Sequence, residues 1–184
     1  AYRLSATQSL NERMKLAVTE SVIRLQHSLH ENGLDAAVAF SPENVAWLAE
    51  FMVPSHPIMR RRHAAAVVTE DGAALVVADM EKTTAEQESG IANIVSYREF
   101  FQNPMEIVGE CIKAMSSGAK RVGIEMEFLP ASDFGSLQRF LKGIELVPCD
   151  GLFTSMRMVK TEREIKLLRR IAKIAEEVHQ ELLS

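Results

Sequence analysis

The chain has 184 residues, 47% hydrophobic and 25% charged, which is one soluble globular domain's worth with a core that needs no disulfide or metal to fold. A net charge of −4 excludes a general electrostatic grip on nucleic acid or on an anionic membrane. No apolar run approaches the ~18 residues of a membrane span, no signal-peptide pattern opens the chain, and two cysteines, Cys111 and Cys149, fit a reducing, cytoplasmic compartment.

In chain order, Leu10, Met14, Ala17 or Val18, Val22, Leu25 and Leu29 recur at helical steps, predicting a helix from Leu10 to Asn32 stopped by Asn32-Gly33. Ala36 to Phe40 is a continuous apolar run and predicts a strand buried on both faces. Ser41-Pro42 opens a short helix with Ser41 as N-cap. Pro54 and Pro57 make Met52 to Met59 a loop. His63 to Val68 and Ala73 to Ala78 read as strands joined by a Glu70-Asp71-Gly72 turn. Glu81 to Ser89 reads as a polar helix and Ile91 to Tyr97 as a strand. Pro104 to Met115 is an amphipathic helix, Arg121 to Glu125 a strand, Pro130 to Leu141 a helix and Ile144 to Pro148 a last strand. Helices and strands alternating around one hairpin predict an α/β fold: a mixed sheet with helices on both faces. Thr161 and Glu164 form a capping box before a strongly charged amphipathic helix that runs to the last residues. That helix reads as the start of a further domain.

The search for chemistry is mostly negative. His27 and His30 share a helix face without a third ligand and read as surface histidines. Cys111 reads as a buried hydrophobe, and Cys149 has no activating base beside it. Glu125 and Glu127 could pair on one face of a strand, but they read as solvated surface acids. No phosphate-cradling glycine loop and no nucleophile elbow is present. The one cluster with functional content is His56, Arg60, Arg61, Arg62 and His63, at a loop-to-strand junction. An arginine fork matches a carboxylate, so the junction is a candidate anion site, with a solvated basic loop paired to nearby acids as the plain alternative.

Four segments together resemble the N-terminal domain of the creatinase/prolidase/aminopeptidase P family, the pita-bread metallopeptidases. Gly33-Leu34-Asp35-Ala36 is similar to the family's approach to its first strand, and Ser41-Pro42-Glu43-Asn44-Val45-Ala46-Trp47-Leu48 to its "s-x-x-N-i-x-Y-L-t-G-f" segment. Val122-Gly123-Ile124-Glu125 resembles "i-G-v-E", and Met156 to Ile165 resembles "l-R-x-i-K-s-x-x-E-i", the junction with the catalytic domain. The chain departs from the pattern at Glu50, where the family usually has glycine.

The resemblance implies a mixed sheet packed between helices, with residues 1–155 as the N-terminal domain and 156–184 as linker and first helix of a pita-bread catalytic domain. It implies a longer metal-dependent hydrolase of the Xaa-Pro dipeptidase, aminopeptidase P or creatinase type. Two divalent ions (Mn, Co or Zn) would sit in the catalytic domain on two aspartates, a histidine and two glutamates. No catalytic or metal residue then falls in this chain, which is expected to be inactive alone. It implies a homodimer acting on a small peptide or amino-acid-like substrate, bound in trans by Arg61, Arg62, His56 and His63, with alternation leaving one of the two arginines as reader. A catalytically silent interaction or dimerisation module of the same fold, and an unrelated small-ligand-binding α/β domain, are the rival readings.

Overall fold

A computed structural model describes residues 18–59 and 62–183. Helix α1 (Glu20–Glu31) carries Val22, Leu25 and Leu29 on its buried face. It starts later than the periodicity implies. Val18 and Thr19 are not helical, and the extended Thr19 accepts a hydrogen bond from the Val22 amide on Oγ1 and gives one to the Leu48 carbonyl. A cap satisfied on both sides ends the helix there, against the apolar pattern. The part of the predicted helix before Val18 lies outside the described residues. At the other end Gly33 takes φ +60°, and the Leu34 and Gly33 amides reach back to the Leu29 and His30 carbonyls, the glycine stop expected from Asn32-Gly33.

Strand β1 (Ala36–Ala39) leads into α2 (Pro42–Ala49). The hairpin β2 (Ala65–Thr69) and β3 (Gly72–Ala78) follows, then a short 3-10 turn at Asp79–Glu81 and α3 (Lys82–Glu88). Strand β4 (Ile94–Tyr97), α4 (Pro104–Met115), β5 (Arg121–Ile124), α5 (Ala131–Phe140) and β6 (Glu145–Pro148) complete the layer. The six strands lie in the order β4-β3-β2-β1-β5-β6. Every pairing is parallel except β1–β2 and β2–β3, so β2 alone runs against the others. This is the mixed sheet with helices on both faces that the sequence predicts.

Every residue of β1, β2 and β3 is buried. Continuous apolar runs such as Ala36 to Ala39 are what a strand covered on both faces requires. Ala36, Val38 and Phe40 face one layer together with Val67, Val76, Ile124 and the inner sides of α4 and α5. The alternate residues face α1, α2 and α3, of which α1 and α2 pack on β2 and α3 on β3 and β4. Gly123 in β5 is set by contact: a Cβ there would come within 3.0 Å of both Cys149 and Leu34. The edge strand β6 is partly exposed and ends in Pro148, where a missing amide costs no ladder bond.

The chain divides into two compact units after Asp150. The second holds most of α6 (Asp150–Met158), a helix absent from the sequence reading, and α7 (Glu162–Leu183). The capping box forms as read: the Thr161 amide donates to Glu164 Oε2 at 2.7 Å and the Glu164 amide to Thr161 Oγ1 at 3.2 Å. On α7, Leu168, Ile171, Val178 and Leu182 are each at least half exposed.

Glu50 closes α2 at φ 49°, ψ 26°. This left-handed conformation crowds a Cβ and suits glycine, which is the residue of the family pattern at this place. Glu50→Gly is expected to raise stability by up to about 1 kcal/mol, read as a higher urea midpoint at unchanged m. A lower midpoint would mean that the glutamate side chain contributes more than its backbone costs.

Candidate functional site

Five parallel strands end, and β2 begins, along one edge of the sheet. Carboxylates fasten the loops of that edge. Glu125 directly follows β5, beside the end of β1, where the chain turns into α2. Its Oε2 accepts the Phe40 and Ser41 amides at 2.7 and 2.8 Å, and its Oε1 accepts Asn44 Nδ2 at 2.6 Å. Ser41 Oγ accepts the Asn44 amide at 3.2 Å as the N-cap. A carboxylate at a helix N-terminus also meets the positive end of the helix dipole. Glu125 is 6% exposed, so the reading of it as a solvated surface acid is corrected: burial is compensated by three donors. Glu127 is exposed, and Asp150 holds the backbone between them by accepting the Met126 and Glu127 amides. At the opposite edge Asp35 accepts the Lys120 and Arg121 amides, which hold its carboxyl below the usual range.

The predicted cluster lies at the edge where β2 begins. Arg62 Nε pairs with Glu99 Oε1 at 2.6 Å, both side chains largely shielded. His63 Nε2 lies 3.0 Å from Asp133 Oδ2, near the start of α5, and the His63 carbonyl accepts the Tyr97 hydroxyl at 2.8 Å. Burial first, then the Glu99 charge, push the Tyr97 phenol up to about 12. His56 is buried, edge-on to Phe128 with ring centroids 6.0 Å apart. The neighbouring Ser55 amide donates to the buried Glu81 at 3.1 Å. Burial is the main force holding His56 down to about 4, and repulsion from His63 adds to it. The structure thus brings His56, Arg62 and His63 to one edge; Arg60 and Arg61 lie outside the described residues. Strand β2 begins at Ala65, later than read, so Arg62 and His63 sit in its approach and strict strand alternation does not govern them.

Glu99 and Asp133, which fix the cluster, were missed because acids in a turn and in a helix's first turn carry no motif. For Glu125 a signal existed: an acid ending a strand that runs parallel to one opening a Ser-capped helix.

Among the described residues the edge supplies a paired cation, Arg62, and a buried neutral imidazole, His56. Burial pushes the Cys111 thiol up to about 11 and the Cys149 thiol further, Asp150 adding to the latter, so neither is a thiolate at neutral pH. His27 and His30 are both exposed on α1. Among the described residues no three His, Cys, Asp or Glu side chains converge to hold a metal ion. Among the described residues no helix is long and apolar enough to cross a membrane.

The sequence model of the Creatinase/Prolidase N-terminal domain matches residues 22–159. The chain belongs to that family. Among curated relatives, the putative dipeptidase YkvY of Bacillus subtilis is 25% identical over 153 residues, covering 83% of this chain and 41% of that protein. The creatinase of a Bacillus species is 26% identical over 162 residues, covering 88% and 38%. The chain therefore spans about two fifths of the length of these two relatives. Among solved structures, an Xaa-Pro dipeptidase from Bacillus anthracis superposes with a TM-score of 0.71 at 21% identity, over 90% of this chain and 42% of that one. A proline dipeptidase chain from Streptococcus pneumoniae gives 0.66 at 21% identity, over 77% of this chain and 100% of that one. At such identities the structures establish the shared fold.

Replacing Glu125 by alanine strands two backbone amides and the Asn44 amide in a buried place. At about 1–3 kcal/mol for each unsatisfied donor, with partial relaxation, Glu125→Ala is expected to cost about 3–5 kcal/mol in chemical denaturation. Glu125→Gln, which turns a donor toward donors, should fall between. A loss below 1 kcal/mol for the alanine variant would show that water replaces the carboxylate.

Proposed function

We propose that this chain is the N-terminal, non-catalytic part of a longer cytoplasmic metal-dependent hydrolase of the Xaa-Pro dipeptidase or creatinase type. Residues 1–155 form the N-terminal domain, and 156–184 are the linker and first helix of the catalytic domain, which covers the apolar side of α7. The protein is a homodimer in which the basic cluster of one subunit serves the active site of its partner, holding the carboxylate of a small peptide or amino-acid-like substrate. The two divalent ions, Mn, Co or Zn, belong to the catalytic domain and are bound there.

The observation that carries the reading is the family match over residues 22–159 together with a basic junction at the edge where β2 begins. The held geometry narrows the roles. Arg62 commits its Nε to Glu99, so it braces the junction, and Arg61 is the proposed reader. His63, tied to Asp133, and the neutral His56 fix the flanks of the loop.

Steady-state kinetics of the full-length protein with a free-carboxylate Xaa-Pro dipeptide test this. Arg61→Ala is expected to lower kcat/KM about 10- to 100-fold, the equivalent of roughly 1.5–3 kcal/mol for a charged hydrogen-bonded contact. Arg61→Lys should recover part of it, because lysine keeps the charge and loses the fork. Arg62→Ala should act mainly through stability. The 184-residue chain alone should show no turnover with any of the three metals. Unchanged kcat/KM for Arg61→Ala removes the trans-binding role, and turnover by the chain alone removes the non-catalytic one.

A further inference from the structure

The segment Val53–Met59 is folded back onto the sheet edge by contacts of different strength. The Ser55 amide is tied to Glu81, and the His56 amide closes a turn onto the Val53 carbonyl at 3.1 Å. Val53 is 3% exposed, and the His56 side chain is 5% exposed with the Phe128 ring against it. The Phe40 backbone beside the ring favours a charge on it, but less than burial opposes one. Nε2 is buried and has no partner. An imidazolium donates from both nitrogens, and no acceptor waits at Nε2. The neighbouring Ser55 Oγ is equally buried and unpartnered.

We propose that Val53–Met59 is an acid-sensitive latch: protonation of His56 expels the imidazole from its buried seat against Phe128 and frees the segment from the sheet edge. The property belongs to this chain and stands whether or not the arginines read a substrate.

The charges around the ring set the direction. His63, from the approach to β2, opposes a second positive charge, and Glu43, from α2, favours it. Glu125 is occupied by the Phe40 and Ser41 amides and Asn44, and Asp133, on α5, by His63. Glu81, in the 3-10 turn, takes the Ser55 amide. Arg62 and Glu99 neutralise each other. Burial outweighs the one favourable carboxylate, so the seated ring is held at about 4 against an ordinary 6.5. The sign follows: between these values the released state binds one proton more than the seated state. The latch is closed above pH 6.5, and each unit of acidification below it shifts the equilibrium toward release by up to about tenfold, until pH 4 is passed.

The test is NMR of the 184-residue chain, following the His56 Cε1–H resonance and amide exchange of residues 53–59, corrected for intrinsic rates, from pH 7 to 4. The expected result is a His56 midpoint below pH 5 and at least a tenfold loss of protection in 53–59 that follows it, while Val38, Val67 and Val76 stay protected. His56→Gln, which keeps a donor and cannot gain the charge, should abolish the pH dependence of the segment. Should that variant not fold, Glu43→Gln should move the wild-type midpoint to lower pH. A His56 midpoint near 6.5, or protection of 53–59 that persists below the midpoint or falls equally in His56→Gln, would overturn the latch.

Discussion

The carboxylate of Glu125 joins three things that the sequence keeps far apart. It ends β5, it receives the two amides at the turn from β1 into α2, and it holds Asn44 one turn into that helix. Strands β1 and β5 are parallel neighbours, so both carry their last residues to the same edge. A parallel ladder leaves open the direction in which each strand exits. Glu125 closes that freedom for β1 and thereby aims α2. The Ser41 cap satisfies the amide that the carboxylate does not reach.

The other end of the same residue carries the loop. Phe40 gives its N–H to Glu125, and its backbone lies beside the His56 ring. The helix turn and the basic junction therefore meet at one residue, although 15 residues lie between Phe40 and His56 in sequence. Farther along, Arg62–Glu99 and His63–Asp133 tie the approach to β2 to the turn after β4 and to α5. Such shielded pairs add little net stability after desolvation, but breaking one leaves a charge without a partner. Their effect is to fix where the loop returns to the sheet.

Much of this layer was legible in the sequence because local chemistry decided it. The Asn32-Gly33 stop, the Thr161–Glu164 box and the Pro104–Met115 helix depend on residues within a turn or two of each other, and the structure has them as read. What failed was decided at long range. Thr19 ends α1 because Leu48, 29 residues away, accepts its hydroxyl. Glu125 is buried because donors 81 to 85 residues away converge on it. The Glu70-Asp71-Gly72 turn already made β2 antiparallel to β3; what its apolar run left open was the pairing with β1, since a strand buried on both faces reads the same in either direction. Helix α6 follows the strand-ending Pro148 after a single residue and carries a glycine, Gly151, in its first turn, so no local start signal marks it.

The basic junction is read from spacing alone, and the described part of it is held by partners. A run of like charges repels itself and costs free energy at a shielded site. Here Arg62 is neutralised by Glu99, and His56 is kept uncharged by burial. Removing either constraint would add charge: Arg62 without Glu99 would stand as an unpaired cation, and a protonated His56 would add another. The acid sensitivity proposed for the loop thus has its origin in a neutral imidazole buried beside a residue whose amide Glu125 holds.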